Sequence, residues 1–190
     1  MTDHLPRITP VEPPYDPDLA ALIAKMTPPA APEPLALFRV LAKNPKLAER
    51  MMSAGGHFLG NGSSLAIRDR EIVIDRVCAR CGNEYEWGVH VATFAEAAGL
   101  TDAEVRHTMS YPADPDAWAT NEAALIAMVD ALHETSTVDD TTWAQLAIHY
   151  DEAQIVELLM LAGWYHAISF VCNAARIPLE SWQARLPRAL

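Results

Sequence analysis

Apolar and polar side chains recur every three to four positions along most of the chain, which is the period of an α-helix. The segment from Arg68 to Arg80 is apolar on more than one side, as expected of a helix that other helices enclose. A second helix is predicted from Asn83 to Ala98, and a long apolar one that Asp151 caps and that reaches about Arg176. No alternation of apolar and polar residues lasts for the length of a strand. The pattern therefore predicts an all-α fold, a single domain of about eight helices.

Local signals mark where the helices begin and end. Asp-Pro at positions 16–17 and Asn-Pro at 44–45 place a capping side chain before a proline at the first helical position. Gly82 interrupts one helix, and Gly99 suits a left-handed cap at the end of the next. The glycine-rich segment Gly55 to Ser64 breaks the pattern, and because no Gly-Lys-Ser/Thr ending follows, it is predicted to be a flexible connection and not a phosphate loop.

The domain organisation follows from length and from the prolines. A chain of 190 residues suits one domain with a core of its own. The prolines cluster near the start, so residues 1–34 are predicted to be a proline-rich arm and a first helix. Residues 35–190 are predicted to form the main helical domain.

Charge and hydropathy limit the partners. The chain carries 14 basic and 25 acidic residues, a net charge of -11, which repels phosphate backbones and leaves no basic stripe for nucleic acid. The apolar run from Leu158 to Ala175 contains His166, Ser169 and Asn173 and lacks flanking basic clusters, so a buried helix is expected, not a membrane span. Because the N-terminus has no apolar signal segment, we expect a cytoplasmic protein.

Glu86 and His90 are the first candidates for chemistry. They stand four residues apart on one predicted helix, so their side chains share a face and can meet. A carboxylate beside an imidazole favours the imidazolium and fixes its tautomer, as general acid/base catalysis requires. An ordinary surface ion pair is about equally compatible with this spacing. Two ligands are too few for a metal, so neither a metal nor another cofactor is expected.

The cysteines offer a second chemistry. Cys78 and Cys81 form a Cys-x-x-Cys motif, a candidate redox pair, whereas Cys172 lies in the apolar run and is expected in the core. The pair comes at the end of a helix, where the carbonyl groups disfavour a thiolate. Since no second Cys-x-x-Cys exists, the motif does not predict a zinc site.

Two separated stretches resemble one family. REIVIDRVCARCGNEYEWGVHVATFAEAAGLTDAEV resembles the core of the carboxymuconolactone decarboxylase family, and GWYHAISFVCNAARIPLE is similar to its closing helix. The resemblance covers roughly Leu35 to Pro187. It implies an alkylhydroperoxidase D-like helical fold and a homo-oligomer, commonly a trimer or hexamer.

The resemblance implies two alternative activities. In the redox branch of the family a Glu is followed after eleven residues by Cys-x-x-Cys and then by His. Glu71 and His90 fit that pattern, but Asn83 and Glu86 stand where the cysteines would be. A thiol-dependent alkylhydroperoxidase or disulfide reductase would have to use Cys78 and Cys81, five residues upstream.

The decarboxylase branch implies a cofactor-free lyase or isomerase acting on a small carboxylated lactone or a related organic acid. His90 would be the acid or base, and Glu86 would orient it or share the proton. Glu71, on the adjoining helix, would either support these two residues from behind or relay protons. Tyr85 and Trp87, together with Asn83, would line the pocket. An anionic substrate would also require Arg68, Arg76 or Arg80 to point inward.

His166 has two possible places. With Ser169 and Asn173 it forms a polar stripe on an otherwise apolar helix, so it is either a hydrogen-bonded core histidine or a second histidine in the pocket of His90. A third hypothesis for the chain is a non-catalytic oligomeric binding protein that has kept the fold alone.

Overall fold

The computed structural model describes residues 5–28 and 31–186. These residues form nine α-helices and no strand, which confirms the predicted all-α class with one helix more than expected. The helices are α1 (Pro17–Met26), α2 (Ala36–Leu41), α3 (Pro45–Leu59), α4 (Ile67–Arg80), α5 (Glu84–Phe94), α6 (Asp102–His107), α7 (Thr120–Thr135), α8 (Asp140–His149) and α9 (Glu152–Ala175), with a 3-10 turn at Pro115–Ala117.

The helix ends follow local chemistry closely. The Asp16 carboxylate accepts a hydrogen bond from the Leu19 amide at 2.9 Å, and the Asn44 side chain accepts one from the Leu47 amide. Gly82 and Gly99 have φ of +62° and +64°, a conformation that favours glycine. The predicted break at Gly82 is therefore confirmed, whereas α5 ends at Phe94, four residues before the predicted Ala98.

The predicted flexible connection from Gly55 to Ser64 is wrong over its first half. Helix α3 continues through Gly55 and Gly56 as far as Leu59. Phe58 is buried, and Met52 packs against the core cluster that contains Ala48. The burial of these apolar side chains at helical spacing outweighs the low helix propensity of glycine.

The contacts divide the chain into two units. The first contains residues 5–63 of the described chain together with 171–181. Its core is formed by Leu22, Ile23, Met26, Ala42 and Ala48, against which Val11 and Tyr15 of the proline-rich arm pack. The arm thus folds onto its own unit, and the predicted boundary between residues 34 and 35 stays a prediction.

The second unit contains residues 64–170 and 182–186 of the described chain. Helix α4 packs against α5 and α7, and α7 packs against α8. Ile72, Val73 and Ile74 of α4 are completely buried, so this helix is enclosed on several sides, as its pattern predicts. The polar residues that directly flank these three on α4 are buried as well.

Helix α9 is long and apolar enough to cross a membrane by length and composition, and 44% of its most apolar window is buried inside the protein. The core helix of a soluble protein meets the same criterion. Its Glu157 accepts hydrogen bonds from the Ser64 amide and hydroxyl, and its Ser169 hydroxyl donates to the Tyr165 carbonyl. These satisfied polar groups are typical of a helix in a soluble all-helical fold.

Gly88 marks a close approach to helix α5. The Ala184 amide donates to the Gly88 carbonyl at 3.0 Å, and a Cβ at position 88 would lie 2.2 Å from the Ala184 carbonyl oxygen. We expect Gly88→Ala to lower the free energy of unfolding by about 1–3 kcal/mol, because backbone must move to admit the methyl group. Urea unfolding checks this.

Gly163→Ala is the matched control, because a Cβ at position 163 of α9 meets nothing within 4 Å. There the gain in helix propensity should stabilise the protein by up to about 1 kcal/mol. Equal midpoints for Gly88→Ala and the wild type would contradict the close approach.

Candidate active site

Three helices of the second unit each bring a pair of polar side chains, four residues apart, to one buried cluster. Residues at i and i+4 lie on the same face of a helix, so each pair points to one place. The pairs are Glu71 and Asp75 on α4, Glu86 and His90 on α5, and Tyr165 and Ser169 on α9.

His90 lies at the centre of this cluster. Its Nδ1 is 2.7 Å from Glu71 Oε2, and its Nε2 is 2.9 Å from the Tyr165 hydroxyl and 3.6 Å from Glu86 Oε2. The other oxygen of Glu71 accepts from Arg70 Nε at 2.8 Å. Glu71 therefore orients His90 directly, and the role that we expected for Glu86 is corrected, because the shorter bond comes from the adjoining helix.

Burial and charge together keep protons in the cluster. Burial by itself would lower the pKa of His90, but the charge and hydrogen bond of Glu71, with the charges of Glu86 and Asp75, raise it. Burial raises the pKa of Glu86, although the charge of His90 opposes that rise. The pKa values of His90 and Glu86 are thus both shifted upward, so that each group holds its proton to a higher pH than it would in water.

Asp75 is a site residue that the sequence analysis missed. It is fully buried, and its Oδ1 has no hydrogen-bond partner among the described residues. Burial and the charge of Glu71 raise its pKa well above the usual range, although His90 opposes this. The sequence did contain a signal for it, because Asp75 follows Glu71 by four residues on the same predicted helix and so lies on the same helix face.

Asn83 lies in the cluster but serves as an anchor. Its Oδ1 accepts from the Glu86 amide at 3.2 Å and so caps α5, while its Nδ2 donates to the Ser169 hydroxyl at 3.0 Å. The side chain thereby ties the start of α5 to α9. Because the contact links α5 to α9, it helps to set the position of Glu86 and His90 relative to Tyr165.

Residues 45–130 match the family model described as the carboxymuconolactone decarboxylase family. This part of the chain is therefore similar to that family. Members of this family are generally enzymes. The match includes α4 and α5, and hence Glu71, Glu86 and His90.

Solved structures of the AhpD-like group have the same fold. A peroxidase-related protein from Silicibacter sp. TM1040 is 14% identical, with a TM-score of 0.76 over 92% of this chain and 93% of that one. An alkylhydroperoxidase AhpD core protein from Ralstonia eutropha JMP134 gives the same values. The debrominase Bmp8, solved with 2,3,4-tribromopyrrole, is 16% identical, with a TM-score of 0.75 over 95% and 94%. Among the curated proteins no match is found.

The cysteines lie differently from those that the redox branch of the carboxymuconolactone decarboxylase family would use. Cys78 is completely buried, and Cys81 lies half-buried with its Sγ 3.9 Å from His133 Nδ1. Burial raises the pKa of the Cys81 thiol, which a hydrogen bond with Ser169 and the charge of Arg80 only partly offset. Cys172 is buried, as predicted.

Of the two aromatic residues expected in the pocket wall, Trp87 binds outside the His90 cluster. The Trp87 indole donates to the Thr108 hydroxyl at 3.1 Å, because residue 87 is turned about 100° from residue 86 around the helix. Tyr85 is buried on the same helix. The rings beside His90 are those of Phe94 and Tyr165, with centroids at 5.2 and 5.0 Å.

The three arginines considered for an anionic substrate bind carboxylates elsewhere. Arg68 pairs with Glu104 and Glu122, and Arg76 and Arg80 both pair with Asp130. Acidic residues of α6 and α7 hold these arginines, so none of the ion pairs that they form among the described residues involves the His90 cluster. The arginine beside the cluster is Arg70.

His166 occupies neither expected place. It is half-buried, and its ring stacks on His133 with centroids 5.2 Å apart and planes 15° apart. It also contacts Phe170 and lines a cavity of about 470 Å³ with His133. Residue 166 is turned about 100° from Tyr165, so it faces away from the side of α9 that meets His90.

The raised pKa values predict how stability varies with pH. A buried acid with a raised pKa is neutral when folded and charged when unfolded, so its contribution falls as pH rises above its unfolded pKa of about 4. The raised pKa of His90 acts in the same direction, since its contribution is full below the unfolded pKa near 6.5 and is lost as pH rises through the folded value. We expect Asp75→Asn to flatten the fall in unfolding free energy between pH 5 and pH 8, as measured by urea unfolding.

Asp139→Asn is the opposite control. Asp139 caps α8, and the Thr142 amide lowers the pKa of its carboxyl group, so its contribution is lost as pH falls. An Asp75→Asn variant with the same pH slope as the wild type would show that Asp75 is ionised in the fold.

Proposed function

We propose that the protein is a cofactor-free acid/base enzyme, a lyase or isomerase acting on a small carboxylated lactone or a related organic acid. The observation that carries this proposal is the buried chain Glu71–His90, with Glu86 and Tyr165 at the far nitrogen of the imidazole. One carboxylate holds the ring, and a second acid stands beside it with a raised pKa. This is the arrangement that proton transfer requires.

The proposed step moves one proton. In a decarboxylation the bond between the carboxylate carbon and its neighbour breaks, carbon dioxide leaves, and the electron pair stays on the neighbouring carbon, delocalised into a carbonyl. That carbon takes a proton from His90 or Glu86, and water then reprotonates the donor. In an isomerisation the same pair would remove a proton at one carbon and return it at another.

The substrate class follows the family name, and the local charges support it in part. Arg70 and His90 are the basic side chains of the cluster, and both bind Glu71, so a substrate carboxylate would compete with Glu71 for them. Phe94 and the ring of Tyr165 supply apolar surface for a small ring.

A thiol-dependent reductase is the alternative, supported by the peroxidase-related proteins that share the fold and by the contact between Cys81 and His133. Complete burial of Cys78 and the raised pKa of the Cys81 thiol weigh against it, because the thiolate is the nucleophile. A non-catalytic binding protein is the third possibility.

The deciding experiment is turnover of a panel of carboxylated lactones and small organic acids without added thiol. Free thiols are counted in the same samples before and after peroxide. Turnover with an unchanged thiol count supports the acid/base enzyme. Loss of two thiols with consumption of peroxide supports the reductase. If neither turnover nor thiol loss is observed, the binding protein is the supported hypothesis.

We also propose a homo-oligomer, a trimer or hexamer, located in the cytoplasm. The exposed apolar side chains Val156, Met160 and Phe170 on one side of α9 support self-association, because a monomer would leave them in water. Light scattering of the purified protein measures the oligomeric state.

A further inference from the structure

A second cluster of reactive side chains lies apart from the hydrogen bonds of His90. Cys81 at the end of α4, His133 on α7 and His166 on α9 place one sulfur and two ring nitrogens within 4.8 Å of one another. We propose that these three residues bind a divalent transition metal ion of the zinc class. The proposal is independent of the acid/base function.

The distances suit such an ion after small side-chain rotations. With metal–nitrogen and metal–sulfur bonds of about 2.0 to 2.3 Å and tetrahedral angles, ligand atoms stand about 3.3 to 3.7 Å apart. Cys81 Sγ is 3.9 Å from His133 Nδ1, and the farthest pair lies within 4.8 Å. Shifts of about 1 Å bring the ligand atoms to these distances, and the near-parallel rings of His133 and His166 must also rotate so that their in-plane lone pairs converge on the ion.

The donor set selects the class of metal. One thiolate with two imidazoles suits Zn²⁺ and its late first-row neighbours, whereas Mg²⁺ and Ca²⁺ prefer oxygen ligands. Binding replaces the proton of the Cys81 thiol with the metal, and that proton is released to solvent.

Charges of both signs lie near the three ligands. Arg80, next to Cys81 in sequence, forms ion pairs with Asp130 and Glu134, and Asp130 also binds Arg76. The positive charge of Arg80 acts against a cation at His133, and the two carboxylates of α7 offset it in part.

Three protein ligands leave a fourth position, and the structure provides space beside it. The cavity of about 470 Å³ is lined by both histidines and by apolar side chains that include Val77, Leu159 and Phe170. A volume of this size accommodates a small molecule. An open coordination position is the feature that separates reactive zinc sites from closed structural ones.

His90 is not a competing ligand, because both of its ring nitrogens are engaged. Nδ1 binds Glu71, and Nε2 binds the Tyr165 hydroxyl. This allows the two sites to be tested separately with single variants.

The test is a cobalt titration of the full chain after treatment with a chelator. We expect Co²⁺ to give a thiolate-to-metal charge-transfer band and the intense visible bands of tetrahedral cobalt, and Zn²⁺ to abolish them by displacement. Cys81→Ser should lose the charge-transfer band and weaken binding at least about 100-fold, since even residues behind metal ligands contribute 10–100-fold. His166→Gln should weaken binding at least about 10-fold while keeping the sulfur band.

Cys172→Ser, His149→Gln and His90→Gln are the controls, and each should bind Co²⁺ like the wild type. Circular dichroism confirms that each variant is folded, and His166→Gln remains informative if Cys81→Ser does not fold. The absence of a charge-transfer band in the wild type, or an undiminished band in Cys81→Ser, overturns the proposal. If His90→Gln loses turnover but still binds Co²⁺, the metal site and the acid/base site are separate sites, as we propose.

Discussion

His90→Gln is expected to lower turnover by about 10²- to 10⁴-fold, the usual contribution of a general acid or base. Glutamine can keep a hydrogen bond to Glu71 but cannot take up or release a proton at the reacting centre. The measurement is the rate with the lactone or organic acid that the wild type converts best. Urea unfolding of the same sample shows whether the variant is folded.

Glu71→Gln tests the orienting contact behind His90. Because the charge and hydrogen bond of Glu71 raise the pKa of His90 against the effect of burial, their removal lowers that pKa. If His90 acts as the acid, the alkaline limb of the pH–rate profile then moves to lower pH. A merely structural role would reduce the rate without moving the limb.

His149→Gln is the matched control for both variants. This histidine lies exposed at the end of α8, where its ring contacts that of the neighbouring Tyr150. Its rate should equal that of the wild type. A His90→Gln enzyme with full turnover would overturn the acid/base assignment and leave the binding protein as the better hypothesis.

Arg76→Met is expected to lower the free energy of unfolding by about 3–5 kcal/mol, the cost of breaking a buried ion pair from one side. The guanidinium of Arg76 is completely buried and binds both oxygens of Asp130 at 2.8 and 2.6 Å. It also donates to the carbonyls of Thr108 and Ser110. Methionine fills much of the volume but satisfies none of these acceptors. Urea unfolding measures the loss.

Arg39→Met is the matched control, because the same change is made at an accessible pair. Arg39 binds Glu12, whose side chain is 62% exposed, and water can replace the interaction. The expected loss is below about 1 kcal/mol. Arg76→Lys should fall between the two variants, because it keeps the charge but loses the planar fork. Equal losses for the two methionine variants would contradict a structural role for the buried pair.

Much of the fold and part of the site were predictable from local sequence. Helical period and capping residues act over a few positions, so Asp16 and Gly82 predicted helix ends that the structure confirms. The spacing of Glu86 and His90 predicted that they meet, because i,i+4 geometry belongs to a single helix.

The sequence by itself determined which residues share a face of each helix, and the tertiary structure decided which faces meet. Contacts such as Glu71 with His90 and His90 with Tyr165 join different helices, 19 and 75 residues apart, so no local pattern specifies them. Likewise, Cys81, His133 and His166 come together only because α4, α7 and α9 converge there. The sequence by itself thus identified the stretch from Glu71 to His90 as the one that holds the catalytic candidates. The packing of distant helices decided that two histidines lie next to Cys81, which is why we propose a metal as its partner.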